Sequence, residues 1–297
     1  MNPTPVRKAV IPAAGFGTRF LPSAKSIPKE MLPIIDTPTI QHVVEEAVES
    51  GITDILMVIG KSKRAIEEHF YPNHDLETEL REKGKTDELK KIQAISKLAN
   101  IHFIWQQELN GLGDAVSYAR SFVGDEPFAL LLGDTLLGIP GEDKPVTGQL
   151  IEIYKQHGQN VVALEPVAEE KVSRYGIAGG DWVSEGSAVL KVSALIEKPD
   201  PSEAPSNLAI ASRYIFRPEI FEYLERTPRG KNNEIQLTDA MVMMLGDHAM
   251  YGLQLTEKRY DIGNKLDFLK TNIEFALRRK DVGPGLREYI KEIASQL

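Results

Sequence analysis

The sequence predicts an α/β protein: a Rossmann-like, mixed but mostly parallel sheet covered by helices, continued by a β-rich region and closed by C-terminal helices. Three observations carry this. Strand-like apolar runs alternate with helical runs through the first half, as parallel strands joined by crossover helices require. The second half shows several strand-like runs with few helical segments between them, and residues 264–297 read as helices. At 297 residues, with 42% hydrophobic and 26% charged residues, the chain is long enough to bury a full core as one large domain or one domain with an extension.

The elements follow in order. "RKAVIPA" is the first strand, and it runs into the glycine-rich turn "AGFGTRFLP". After "PKEMLPI", the run "TIQHVVEEAVES" has helical spacing and ends at Gly51, a C-cap position. "DILMVIG" is a second, buried strand, and "KRAIEEHF" is the helix after it. Residues 75–99, "DLETELREKGKTDELKKIQAISKLA", are strongly charged with helical spacing and read as an exposed excursion whose charges are solvated. "IHFIW" is a strand leading to a loop that turns helical near Gly113, and "PFALLLGDT" is the clearest buried strand, ending in a carboxylate. Beyond the Pro- and Gly-rich stretch 138–148 come a helix near 148–157 and the strand "NVVALEPV". "YGIAGG", "AVLKVSALIEKP" and "NLAIASRYIF" form the β-rich substrate region. A helix near 233–246 and a strand at 250–255 precede "RYDIGN". The domain reading is 1–261 as the main domain, with its charged helical excursion at 71–99, and 262–297 as a helical extension.

Composition removes several chemistries. There is no cysteine, which excludes disulfides, thiolate metal sites and cysteine nucleophiles. No GxSxG elbow is present, and the six histidines, His42, His69, His74, His102, His157 and His248, form no metal-ligand pair at helical spacing. No apolar stretch approaches the roughly 20 residues that span a bilayer, so the expected location is the cytoplasm, away from membrane. The net charge of −8 argues against nucleic-acid binding, but the charge is unevenly spread. Residues 1–35 hold Arg7, Lys8, Arg19, Lys25 and Lys29 against Glu30 alone, a net of +4, whereas the rest holds 30 basic and 42 acidic residues, a net of −12. A basic island around a glycine-rich turn suits a small polyanion.

Which polyanion depends on the loop. A dinucleotide fingerprint needs a third glycine where Phe20 stands, and Pro22 blocks the helix that should open there. A Walker loop fails because Phe16, Gly17, Thr18 and Arg19 follow Gly15. What remains is either an ordinary strand-to-helix turn or a turn whose bare amides approach anionic oxygens beside their own cation, Arg19.

Ligands bind beyond the carboxyl ends of strands in open α/β sheets, and four such ends are loaded. The first carries Gly15, Gly17, Thr18 and Arg19; "IHFIW" carries Gln106 and the loop with Gly111; "FALLLGD" carries Asp134; "VLKVSALIEKP" carries Glu197 and Lys198. Asp134 reads either as the cap of the next turn or, beside a phosphate loop, as a ligand for Mg²⁺, and the metal reading is preferred. Asp261 reads as a second carboxylate or as a turn residue before Gly263. Lys29, between Pro28 and Pro33, reads as a cation aimed at the anion of Arg19 or as a solvated lysine. Consecutive strand residues face opposite ways, so Glu197 and Lys198 share one site only if the chain bends before Pro199.

Assembled, these residues resemble the bacterial-type UTP:glucose-1-phosphate uridylyltransferases, or UDP-glucose pyrophosphorylases, of the sugar nucleotidyltransferase family. The resemblance begins at "AVIPAAGFGTRFLPSAKSIPKEMLPIIDTPTIQHVVEEAVESGI" and continues through "DLETEL", "GLGDAV", "VSRYGI", "IEKPDP", "SNLAIASRYIF", "NEIQLTDAM" and "RYDIGNKLDF", so that it covers almost the whole chain. It implies a sheet of the nucleotidyltransferase type and formation of UDP-glucose and pyrophosphate from UTP and glucose-1-phosphate. By the same resemblance Ala13, Ala14, Gly15 and Gly17, with Thr18, hold the nucleotide, and Arg19 and Lys29 hold its pyrophosphate end. Gln106 and Gly111 meet the uracil, Asp134 and Asp261 hold Mg²⁺, and Gly176, Glu197 and Lys198 face the glucose and its phosphate. A homodimer or homotetramer is implied, with the C-terminal helices as its contact. Gly133 stands where that pattern often has proline, Asp114 where it often has histidine, and Ser212 and Asn233 where it often has glycine. A pyrophosphorylase for another nucleotide or sugar phosphate, and a non-catalytic sugar-nucleotide-binding regulator, are the alternative readings.

Overall fold

A computed structural model describes residues 3–296. Among them runs a nine-stranded sheet in the order Asn100–Trp105, Asp54–Ile59, Lys8–Ala13, Phe128–Leu131, Leu208–Phe216, Asn160–Pro166, Met250–Gln254, Val189–Glu197, Gly176–Trp182. The first four strands are mutually parallel, in register Lys8 with Asp54 and Phe128, and Asp54 with Asn100. Leu208–Phe216 enters antiparallel between Phe128–Leu131 and Asn160–Pro166. The expected β-rich region is therefore continuous with the parallel half.

Alternation along each central strand divides the core into two layers. Ile55, Met57 and Ile59 pack on one side with Ala9, Ile11 and Ala13, against Ile40, Val43, Val44 and Ala47 of the helix Thr39–Glu49. Leu56, Val58 and Val10 face the other side, with Val116 and Ala119 and with Leu237, Ala240, Met241 and Met244 of the helix Leu237–Leu245. Apolar residues at i, i+3, i+4 and i+7 give each helix one stripe, which is what such a layer can bury.

The far end of the sheet curls. Gly176–Trp182 pairs with Val189–Glu197 and also, through Ile177 and Ala178, with Ala209 and Leu208, so five strands close into a ring. Within Leu208–Phe216 the register slips between Ile210 and Tyr214, and Ser212 inside that bulge has φ 63°. A bulge residue in the left-handed region favours glycine, which is the physical sense of the glycine pattern at this position.

One expectation needs revision, and another gains detail. "PFALLLGDT" is not one strand: Phe128–Leu131 stops, and Thr135–Leu137 forms a separate ladder with Arg259–Asp261. The charged excursion is a pair of helices, His74–Glu82 and Thr86–Ile95, the first capped by Asn73, whose side chain accepts from the Leu76 N–H. Beyond Asp261, Asn264 caps the helix Lys265–Arg278 in the same way, and Gly283–Ala294 follows. No helix among the described residues is long and apolar enough to cross a membrane.

Candidate nucleotide-binding cleft

The carboxyl edge of the parallel strands opens into a cleft of about 570 Å³ lined by Ala13, Ala14, Gly15, Gly17, Thr18, Lys29, Gln106, Gly111 and Asp134, nine of the residues singled out in the sequence. The glycine-rich segment launches no long helix. It makes three short 3-10 turns, Thr18–Phe20, Ser23–Lys25 and Lys29–Met31, which fold it back over the edge. Gly17 has φ 64°, and a Cβ there would lie 3.0 Å from Lys29 Cβ. Only glycine both takes that conformation without strain and leaves Lys29 its place.

Lys29 donates from Nζ to Asp134 Oδ2 at 2.5 Å. Burial alone would lower its pKa, but Asp134 and then Glu30 outweigh burial and raise it above the usual lysine value. Behind it lies a pair that local sequence does not reveal: Lys63 Nζ and Glu30 Oε2 are 2.7 Å apart, each side chain 2% exposed. Burial pushes Glu30 up and Lys63 down, each partly offset by the other's charge. The pair braces the floor of the cleft next to Lys29.

Asp134 sits in the turn between Phe128–Leu131 and Thr135–Leu137, and that turn is gripped by a buried guanidinium. Arg213 donates to the carbonyl oxygens of Leu132 at 3.4 Å, Ser212 at 3.1 Å and Thr135 at 2.8 Å, and pairs through Nε and Nη2 with Glu46. Glu46 in turn accepts from the Thr147 N–H and hydroxyl. An arginine inside an apolar strand gives no hint, along the sequence, of which turn it holds.

The ladder of Thr135–Leu137 with Arg259–Asp261 sets Asp261 opposite Thr135, and the Ile262 N–H donates to the Asp134 carbonyl at 3.1 Å. The point where a Cβ on Gly263 would sit lies 2.8 Å from Asp261 Oδ1, 3.6 Å from Arg19 Nη1 and 3.7 Å from Asp134 Oδ2. Gly263 thus leaves a small cradle ringed by all three charged groups.

Gly176, Glu197 and Lys198 gather at a second place, and none of them is among the residues lining the cleft wall. The chain does bend: Lys198 has φ 48°, its N–H donates to the Tyr175 carbonyl at 3.0 Å, and its Nζ meets Glu197 Oε1 at 2.5 Å. Glu197 Oε2 and Thr238 Oγ1 each lie 3.1 Å from where a Cβ on Gly176 would be. Segment 234–239 connects the two places, because Glu234 lines the cleft while Thr238 touches the second cluster. Ile235 clamps the glutamine-side loop, donating to the Asn110 carbonyl at 2.7 Å and accepting from the Gly113 N–H at 2.9 Å. At Gly111, φ is 105° and a Cβ would stand 2.8 Å from the Ile235 carbonyl oxygen, so this close approach also requires glycine.

Bare amides, a cation and paired carboxylates along one parallel-strand edge define a nucleotide-handling α/β protein. The chain belongs to the nucleotidyl transferase family, whose model matches residues 8–276. It is 49% identical over 288 residues to the UTP–glucose-1-phosphate uridylyltransferase of Staphylococcus haemolyticus, covering 97% of this chain and 98% of that one. Among solved structures it resembles a UDP-glucose pyrophosphorylase complexed with UDP-glucose, at TM-score 0.84 and 38% identity over 92% of this chain and all of that one. It also resembles a UTP-bound UDP-glucose pyrophosphorylase from Acinetobacter baumannii, at TM-score 0.89 and 37% identity over 97% and 99% of the two chains.

Proposed function

We propose that this chain joins UTP and glucose-1-phosphate to give UDP-glucose and pyrophosphate. The observation that carries the reading is the gathering, in one cleft, of the glycine-rich loop, the Gln106 and Gly111 side and the Lys29–Asp134 pair. In this reading a phosphate oxygen of glucose-1-phosphate attacks the α-phosphorus of UTP in line with departing pyrophosphate. That oxygen is already ionised near neutral pH, so no general base is needed, in keeping with a cleft wall without histidine.

The barrier is then largely electrostatic. Two unit charges about 4 Å apart repel by roughly 4 kcal/mol at an effective dielectric of 20, and each reactant carries more than one. The loop amides, Lys29 and Arg19 face the triphosphate and stabilise charge on the leaving pyrophosphate. Lys198 and Glu197 hold the sugar phosphate in line, which supplies the positioning term.

Mg²⁺ fits the donor set. Asp134 and Asp261 meet at the Gly263 cradle, and among the described residues no group of three His, Asp or Glu forms a protein-only metal site. An ion held by one or two carboxylates and completed by phosphate oxygens and water matches that. When bound, it would neutralise phosphate charge.

The test is a nucleotide panel with glucose-1-phosphate, read by pyrophosphate release. UTP is expected to exceed CTP, ATP and GTP by at least about a hundredfold in kcat/KM, within the roughly 10⁴ to 10⁵ that a site built to hydrogen-bond its substrate can reach. Preference for another triphosphate assigns the chain to a different pyrophosphorylase, and binding without turnover makes it a regulator.

A further inference from the structure

We infer that Asp114 makes the cleft choose uracil over cytosine, by fixing which way round the Gln106 amide is presented; the inference rests on the reading of Gln106 as the base contact. Gln106 lines the cleft yet is only 6% exposed, and its backbone N–H is tied to the Ile59 carbonyl at 2.9 Å. Asp114 lies in the first turn of the helix Leu112–Ser117, whose start is held by the Gly113 to Ile235 hydrogen bond. Between them, Gln106 Nε2 donates to Asp114 Oδ2 at 2.7 Å.

An ionised carboxylate accepts hydrogen bonds and cannot donate one, so the amide NH₂ must face Asp114. Turned over, the amide would set Oε1 against Oδ2, losing a hydrogen bond and opposing two acceptors. In the fixed orientation the second N–H and Oε1 remain for a ligand, a donor beside an acceptor. The uracil edge offers O4 as acceptor and N3–H as donor, which matches. The cytosine edge offers an N4 amino donor and N3 as acceptor, which matches only the turned-over amide. Asp114 therefore acts as a positioning residue that builds a penalty against the wrong base without touching it. Thymine shares uracil's edge, so Asp114 has no bearing on that choice.

The experiment measures kcat/KM for UTP, CTP and TTP at saturating glucose-1-phosphate in the unsubstituted protein and in Asp114→Asn, Asp114→Glu and Gln106→Leu. Asparagine is nearly isosteric but can donate or accept, so it satisfies either orientation of Gln106. Asp114→Asn is expected to lower the UTP:CTP ratio by about tenfold or more, mainly through better use of CTP, with UTP:TTP unchanged. Asp114→Glu keeps the acceptor and most of the ratio. Asp114→Ser, whose hydroxyl also donates or accepts, repeats the test should the asparagine variant fold poorly, and calorimetric binding of UTP and CTP gives the same ratio without turnover. An unchanged UTP:CTP ratio in Asp114→Asn, or an equal loss for all three nucleotides, overturns the inference; with Gln106→Leu impaired for UTP, base reading by Gln106 then still stands. Gln106→Leu with full use of UTP removes the base contact and the inference with it.

Discussion

At the scale of single residues, the most direct test of the proposed cleft lies in the bonded pair Lys29 and Asp134. Asp134→Asn keeps the shape of the side chain and removes its charge, so the fold should persist by circular dichroism while pyrophosphate release falls by about 10² to 10³, as for loss of one preorganised electrostatic group. A folded variant with near-normal turnover would deny Asp134 its role. The pH response follows from Lys29. Its pKa in the folded state is raised, so its stabilising contribution is complete below the ordinary value of 10.5 and is lost only as pH climbs through the folded value. The urea-unfolding free energy should therefore show no loss from this group until pH passes the ordinary 10.5. The placement of both at the cleft was legible in sequence, because one lies between prolines after the glycine-rich turn and the other ends an apolar run. Glu30 and Lys63 were not, because their burial depends on a contact across 33 positions.

At the scale of elements, the turn carrying Asp134 is held more by Arg213 than by its own sequence. Arg213→Met should cost about 3 to 5 kcal/mol in urea unfolding, since it strands the Glu46 carboxylate and removes a donor from the carbonyl oxygens of Leu132, Ser212 and Thr135. Lysine should recover little, because an ammonium cannot reproduce the fork that reaches Glu46 and two strands together. A loss below about 1 kcal/mol, the range of surface pairs, would mean that the network is slack. Here local pattern misled: "FALLLGDT" has the composition of one strand, and it breaks because the backbone beyond Leu131 is drawn to Arg213 and to the Arg259–Asp261 ladder. At Ser212 and Asn233 the departures from a glycine pattern did mark geometry, since both residues have positive φ.

At the scale of the whole molecule, alternation of strands and helices disclosed the parallel half. It could not disclose that Leu208–Phe216 enters the middle of the sheet or that Gly176–Trp182 curls back to meet it, since such pairings follow from complementary faces far apart in sequence. The pairing of Gly176–Trp182 with Val189–Glu197 sets Gly176 opposite Glu197, beside Lys198, and segment 234–239 runs from this cluster at Thr238 to the cleft wall at Glu234. Lys198→Ala should accordingly raise KM for glucose-1-phosphate several-fold more than KM for UTP, the pattern expected when one substrate's binding contact is removed. Equal effects on both would place Lys198 elsewhere.

The bond between Lys29 and Asp134 also bears on how the proposed substrate and cation would enter the cleft. The two charges offset each other locally, so on the proposed reading a lone cation at Asp134 Oδ2 would compete with a lysine, and a lone phosphate at Lys29 would compete with an aspartate. On the proposed reading, a triphosphate arriving with its own cation would exchange both partners in one step and strand neither. Nucleotide titrated with and without excess chelator should reveal the difference: affinity should fall by about tenfold or more once the cation is removed, the size of one uncompensated charge in a partly buried site.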